Sequence, residues 1–368
     1  MRFHQQLNSF TDCSRWAIMS DKSKSLSALK DLGTAIVQSI DNEEFPILEL
    51  PGRGTGNLVY DEESKQFVLG NARVIRDSSN LRHIKSFTQL VWVASYAKQL
   101  LQASRTSSLR DLYYSSEAFG VEFTDQAESD RTVTDLECLT GIAREAFGVF
   151  PEERSSIYGQ VTMRYTVAGY EGRDVDLTLS PDGLPIGPAL VTADPVESKA
   201  ELILAVESGG IFSRLIETRA WERFNAVLIH LGGQPPRATR RLIRRLHDDL
   251  DLPVYVFTDG DPWGMHIARV ISTGSANAAH IQGLTTPDAE WIGVTADDIS
   301  KYSLPSEPLN NADLKRLDEL SRDVRYSDSI WQDHIRDFRQ LQRKAEQQAF
   351  SRHGMDYVVD KYLPEKIH

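Results

Sequence analysis

Three short, nearly uninterrupted apolar runs, LILAVES, AVLIHLGG and VYVFTDGD, all lying after Pro188, leave this chain few ways to fold. A strand with one face in water alternates apolar and polar residues. A strand that is apolar at every position is covered on both faces, as in a parallel sheet with helices above and below. Between the runs lie IFSRLIETRAWERF and PRATRRLIRRLHDDL, which read as helices. The β-α-β-α-β order predicts an α/β domain with a doubly wound parallel sheet flanked by helices. Further on, SIWQDHIRDFRQLQRKAEQQAFSRHG reads as one long C-terminal helix that packs or dimerises, and no internal repeat is evident.

In such sheets ligands bind outside the carboxyl ends of the strands, and unusual acids stand there: Glu207 ends the first run, Asp259 and Asp261 the third. If extended geometry persists through the turn, the i, i+2 spacing points Asp259 and Asp261 to one side. Neighbouring strands roughly 4.8 Å apart bring Glu207 close. Three carboxylates without a basic partner in the local sequence raise one another's pKa unless a cation joins them. Hard oxygen donors with little His or Cys nearby favour Mg²⁺. The competing reading makes DGD a turn and helix cap, with Asp261 capping PWGMHIARVI.

Ahead of the sheet the pattern changes. Leu26, Leu29, Leu32, Ala35 and Ile36 recur at helical spacing and predict a short amphipathic helix over residues 25–40, an arm for a partner. EFPILELPGRGTGNLVYDEESKQFVLGNARVIRD reads as strands and turns. Its GRGTGN lacks the Lys-Ser/Thr ending of a phosphate loop and does not lead into a helix, so it reads as a turn. From residue 86 to 150 three helices are expected, followed by the strand-like IYGQVTMRYTVAGYEGRDVDLTL. Three compact helices and then strands suggest a winged helix-turn-helix, a module that offers one helix to DNA. The expected division is an arm over 1–70, a winged-helix domain over 71–165 and the α/β domain over 166–368.

The middle helix carries Arg110-Asp111-Leu112-Tyr113-Tyr114. Arg110 lies four residues before Tyr114 and shares its face. A phenol with a pKa of about 10 is a poor nucleophile at neutral pH; a nearby cation stabilises the phenolate and can hold a phosphate oxygen. Tyr114 is therefore the candidate nucleophile, and Tyr113, one residue round the helix, turns to the core. Taken alone, a tyrosine pair on a helix is a packing feature.

The net charge of −12 argues against a protein that coats nucleic acid by bulk attraction, so any DNA contact must be local. The densest basic stretch is Arg237, Arg240, Arg241, Arg244 and Arg245, with Arg237, Arg241 and Arg244 grouped by helical spacing; its alternative reading is a solvated helix face. Two cysteines, Cys13 and Cys138, supply neither a disulfide framework nor a zinc site. No apolar run approaches the roughly 18 residues that cross a bilayer, and the N-terminus does not read as a secretory signal. A cytoplasmic protein with no membrane contact is expected.

SLRDLYYSSE, the strand-end Glu207, the TDGDPWG block and the tail GMDYVVDKYLPEKI, in this order, resemble the A subunits of topoisomerase VI, a type IIB DNA topoisomerase, and their relatives, the meiotic double-strand-break transesterases. The likeness covers most of the chain. LGGQPPRATRR follows the family's Gly- and Pro-bearing loop only loosely, and the first 20 or so residues match nothing in it. The resemblance implies a tyrosine-bearing winged helix followed by a Toprim domain, the α/β metal-binding fold of topoisomerases and primases. It further implies that Tyr114 attacks a phosphodiester, leaving a 5′-phosphotyrosyl link and a 3′-hydroxyl, with Arg110 steadying the phosphate and Glu207, Asp259 and Asp261 binding Mg²⁺. Tyr114 of one chain would meet the acids of the other in an A-subunit homodimer on double-stranded DNA. An ATPase B subunit, met by the arm before residue 70, would complete an A2B2 heterotetramer for ATP-dependent relaxation and decatenation at the nucleoid. The residues by themselves leave two alternatives: a Toprim-type nuclease using metal-activated water, and a non-catalytic winged-helix DNA-binding protein.

Overall fold

A computed structural model of the chain describes residues 22–367. Cys13 and the unmatched first 20 residues lie outside the described residues. The expected first helix runs over Lys22–Asp41 (α1). Two antiparallel hairpins follow, Ile47–Pro51 with Arg73–Asp77 and Leu58–Asp61 with Gln66–Leu69. The glycine-rich loop between them is a turn: Asn57 donates from Nδ2 to the Gly52 carbonyl at 2.7 Å and accepts from the Ala72 N–H at 2.9 Å.

Three helices come next, Ile84–Ala103 (α2), Leu109–Ala118 (α3) and Gln126–Thr140 (α4). The start of α3 is set by Ser108, whose hydroxyl accepts from the Asp111 N–H at 2.9 Å, and the start of α4 by Asp125, which accepts from Glu128. Helix α4 stops at Gly141, whose φ of 67° suits glycine. Leu90, Val93, Leu112, Val133 and Leu136 form the buried centre of this helical unit. Its only strand pairing among the described residues is a short parallel bridge between Ser107–Ser108 and Val149–Phe150.

The strands expected to complete a winged helix go elsewhere. Ser156–Tyr158 pairs antiparallel with Ala226–His230 in the large sheet, and Val161–Arg164 joins a separate sheet with Asp174–Asp176 and Asp194–Ser198. The reason is burial: Ile157, Val161 and Met163 have an apolar surface waiting in Val227, Ile229 and Leu242.

The large sheet has six strands in the order Leu184–Pro185, Ser156–Tyr158, Ala226–His230, Leu202–Val206, Val254–Phe257, Glu290–Gly293. The last four are mutually parallel, as the apolar runs require. Leu202–Val206 lies at their centre with all five residues buried. Leu202, Leu204 and Val206 face one core and Ile203 and Ala205 the other. Each fully buried aliphatic side chain of this kind contributes about 1.5–3 kcal/mol. Among the described residues no helix is long and apolar enough to cross a membrane.

The C-terminal helix is shorter than its periodicity predicts. It ends at Leu341, because Gln342 turns left-handed with φ of 54°. The chain then bonds laterally: Arg343–Lys344 pairs with Glu307–Pro308, and Ala345 exchanges backbone hydrogen bonds with Gly260 at 2.7 and 3.1 Å. These partners, supplied by distant sequence, outcompete continuation of the helix.

Nor is the arginine-rich helix, Arg237–Leu250, solvated: Arg240, Arg241 and Arg245 are buried. Its apolar side, Leu242, Ile243 and Leu246, lies on the sheet, and its first residue reaches the helical unit. There Arg237 donates from Nη1 to Glu137 at 3.0 Å and from Nη2 to Glu145 at 2.9 Å, while His280 lies 3.0 Å from Glu137. Burial pushes the Glu137 carboxyl up, but His280 and Arg237 outweigh it and hold it well below the usual carboxylate range. Removing one member of such a buried pair strands the other. Glu137→Ala is expected to cost about 3 kcal/mol, read as a lower urea midpoint at unchanged slope; a loss below about 1 kcal/mol would show the cluster to be incidental.

Candidate metal centre and nucleophile

Parallel register brings the strand-end acids together. Val206 stands opposite Phe257, so Glu207 leaves its strand level with Thr258, one residue before Asp259. The Glu207 N–H donates to the Phe257 carbonyl, and the Asp259 N–H donates to Glu207 Oε2, both at 3.0 Å. Asp259 Oδ1 accepts from the Gln347 N–H at 2.9 Å. Asp261 Oδ1 accepts from Trp263 and Gly264 at 2.9 and 2.7 Å, capping the Pro262–Thr273 helix. The cap reading of DGD is thus correct for Asp261, and it occupies one oxygen. Gly264 is required here, since a Cβ would stand 2.1 Å from the Asp259 carbonyl oxygen.

Each acid therefore spends one oxygen on backbone N–H groups, which fixes the orientation of its carboxylate. Glu207 Oε1, Asp259 Oδ2 and Asp261 Oδ2 make no hydrogen bond among the described residues. The electrostatics are unfavourable without a cation. Burial first, then the Asp259 charge, pushes Glu207 up to about 8. Burial likewise raises Asp259 to about 6, with Asp261 and Glu346 adding to it against the Gln347 N–H. Asp261 is raised by burial, opposed by the Gly264 and Trp263 N–H groups. These hard oxygen donors, preoriented and mutually repelling, fit Mg²⁺, which takes one or two carboxylates and keeps several waters. Among the described residues no three His, Cys, Asp or Glu side chains already close around a point.

Asp259 and Asp261 line a cleft of about 720 Å³ together with Lys344 and Glu346. Neither of the latter was singled out from the sequence. Lys344 supplies the basic neighbour absent from the local sequence; its Nζ pairs with Asp313 at 2.9 Å. Gln347, equally unforeseen, ties the site together, accepting from the Ser208 N–H at 2.9 Å and donating to the Phe257 carbonyl at 3.0 Å. No periodicity connects these residues with acids so far back in the chain.

On α3, Leu112 is fully buried while Tyr114 is 53% exposed. Tyr113 packs against the helical core. The Arg110 guanidinium sits over the Tyr114 ring, 5.6 Å from its centroid. Arg110 also lies 4.0 Å from Glu152 in a solvent-exposed pair. The Tyr114 ring meets Arg110 and Tyr113, on its own helix, rather than the acids at the strand ends.

Comparison with known proteins bears on both halves. Residues 202–367 match the Toprim domain family of topoisomerase 6 A subunits and Spo11, and residues 85–149 the family described as Type IIB DNA topoisomerase. The chain is 42% identical over 353 residues to the A subunit of type 2 DNA topoisomerase 6 from Methanothermobacter thermautotrophicus, covering 95% of this chain and 98% of that protein. It is 37% identical over 354 residues to the same protein of Halobacterium salinarum, covering 95% and 97%, and 38% identical over 344 residues to that of Methanocaldococcus jannaschii, covering 92% of each.

The raised carboxyls give a pH dependence with a definite sign. Glu207 holds its proton more tightly folded, at about 8, than at its ordinary 4.5. Its contribution to stability is full below about 4.5 and is lost as pH rises through about 8. In chelator, the melting temperature is expected to fall over this window, and Glu207→Gln to flatten much of the fall. Identical slopes in the two proteins would contradict the assignment.

Proposed function

This chain belongs to the family of topoisomerase 6 A subunits, and from that premise we propose how it works as the DNA-cleaving subunit of a type IIB topoisomerase. The observation that carries the proposal is Tyr114, an exposed phenol under a guanidinium, on a helix whose neighbouring tyrosine is packed away. Its oxygen attacks a backbone phosphorus; the tyrosyl O–P bond forms as the P–O3′ bond breaks. The phenolic proton leaves to solvent, and the departing 3′ oxygen takes a proton to become a hydroxyl. The new phosphodiester is equivalent in energy to the old one, so religation is the same step in reverse.

Arg110 serves as the positioning cation, already over the ring and able to hold a phosphate oxygen. Glu207, Asp259 and Asp261 would hold Mg²⁺ through their free oxygens. When bound, the ion stabilises charge on the reacting oxygens. Gln347, Trp263 and Gly264 keep Asp259 and Asp261 aimed through backbone N–H groups, as the Asp259 N–H does for Glu207.

Tyr114 and the acids stand on different units, and, as the family likeness implies, the complete site is formed between two copies of the chain, Tyr114 from one and the acids from the other. The unit over α2–α4 faces the DNA in the manner of a winged helix. The ATPase is a separate B subunit in an A2B2 assembly, docked against α1 and the strands before residue 70.

With partner subunit, Mg²⁺ and supercoiled DNA, denaturation is expected to leave protein on 5′ ends. Tyr114→Phe should lower this adduct roughly a thousand-fold or more, with DNA binding retained; Tyr113→Phe should leave most of it. Cleavage that persists in Tyr114→Phe without an adduct would instead mark a metal-dependent nuclease.

A further inference from the structure

The arginine helix brings more positive charge into the interior than its surroundings bond. Arg237 takes both buried carboxylates, Glu137 and Glu145. Arg240, one turn on, is only 5% exposed, and its Nε and Nη1 are buried without a hydrogen-bond partner among the described residues. The Nε of Arg144, which follows α4, is left in the same condition, 3.5 Å from Glu145 but not hydrogen-bonded to it. A buried guanidinium with unused N–H groups is costly unless something binds it. Burial and the neighbouring Arg237 draw Arg240 down to about 10, which leaves it charged at neutral pH.

Arg144 and Arg240 line a cleft of about 500 Å³ between the helical unit and the loop that starts the arginine helix, with these buried nitrogens behind its wall. Five arginines line it, 110, 144, 154, 237 and 240, against two acids, Asp130 and Glu152. The ligand this lining fits is an anion with several acceptor oxygens, which the planar guanidinium fork recognises in a phosphate. Arg110 stands at one end, the same residue that covers Tyr114. In a chain of net charge −12, such a cleft is where a polyanion gains attraction.

We propose that this cleft is a second phosphate subsite, in which Arg240, with Arg144 beside it, binds a backbone phosphodiester of the DNA strand that Tyr114 attacks. The proposal rests on the DNA-cleaving reading and adds to it a grip on the strand away from the scissile bond. Arg240 is thus a binding and positioning residue, not one that touches the reacting atoms.

The test uses the full chain assembled with its partner subunit, in a Tyr114→Phe background so that binding is read without chemistry. Affinity for a short duplex is followed against salt. Arg240→Gln is expected to weaken binding about tenfold at low salt and to reduce the log–log salt slope by about 0.9, one phosphate contact. Arg240→Lys should keep the slope. Because the replaced guanidinium makes no ion pair among the described residues, Arg240→Gln should melt at the same temperature as its parent or above it. An unchanged slope, a drop in melting temperature of several degrees with unchanged binding, or no measurable binding by the parent would each overturn the subsite. A second arm replaces DNA with inorganic phosphate at equal phosphate concentration. Arg240-dependent stabilisation by phosphate that DNA does not displace would mark a free-anion site and also overturn the proposal. The two readings fail separately: Arg240-dependent binding without an adduct in the Tyr114 protein sinks the tyrosine chemistry and keeps the subsite, whereas an adduct with an unchanged slope does the opposite.

Discussion

Parallel pairing of Leu202–Val206 with a neighbour on each side sets the rest of the structure. Because the three strands run the same way, their carboxyl ends lie on one edge, and whatever residues follow them meet there. Glu207 and Asp259 follow two of them and are drawn together whatever their charges prefer. The backbone answers with N–H groups aimed at one oxygen of each carboxylate, from Asp259, Gln347, Trp263 and Gly264. Burial and repulsion still raise all three acids. A site strained in this sense is poised for a cation, since an ion of two positive charges removes the repulsion that the fold imposes.

A second electrostatic arrangement joins the helical unit to the sheet. Arg237 reaches from the first turn of its helix into a pair of buried carboxylates on and just after α4. That attachment holds the tyrosine-bearing unit against the sheet within one chain, while Asp259 and Asp261 line a separate cleft. The two halves of the chemistry are thus presented on different surfaces. The proposed meeting of Tyr114 with the acids of a second copy rests on the family and is compatible with this separation.

Residues whose environment is made by near neighbours could be read from the order of amino acids. The apolar runs became buried parallel strands because nothing but two-sided cover satisfies LILAV or VYVF. Tyr114 lies outward and Tyr113 inward, as the face shared with Arg110 required. Residues whose environment is made by distant chain could not. Gln342 ends a helix that its own periodicity would continue, because Gly260 offers Ala345 a ladder hydrogen bond. Glu346 and Gln347 arrive at the acids by that detour. The strands 156–158 and 161–164 left the helices that precede them for the apolar surface of Val227 and Ile229. Five closely spaced arginines look like a solvated face, yet acids from another unit take Arg237, and Arg240, Arg241 and Arg245 are buried.

The central claim is that one site is shared by two copies of the chain, and mixing two dead proteins tests it most directly. One copy carries Tyr114→Phe with its acids intact; the other keeps Tyr114 but carries Asp259→Asn. Each alone, with partner subunit, Mg²⁺ and supercoiled DNA, should give no covalent adduct. If the site forms between chains, the mixed dimer holds one complete site and one with both defects, and the mixture should nick single strands with the Asp259→Asn copy attached to the 5′ end. A mixture as inactive as its parents, although mixed dimers are present, would place Tyr114 and the acids of the same chain in one site and contradict the account.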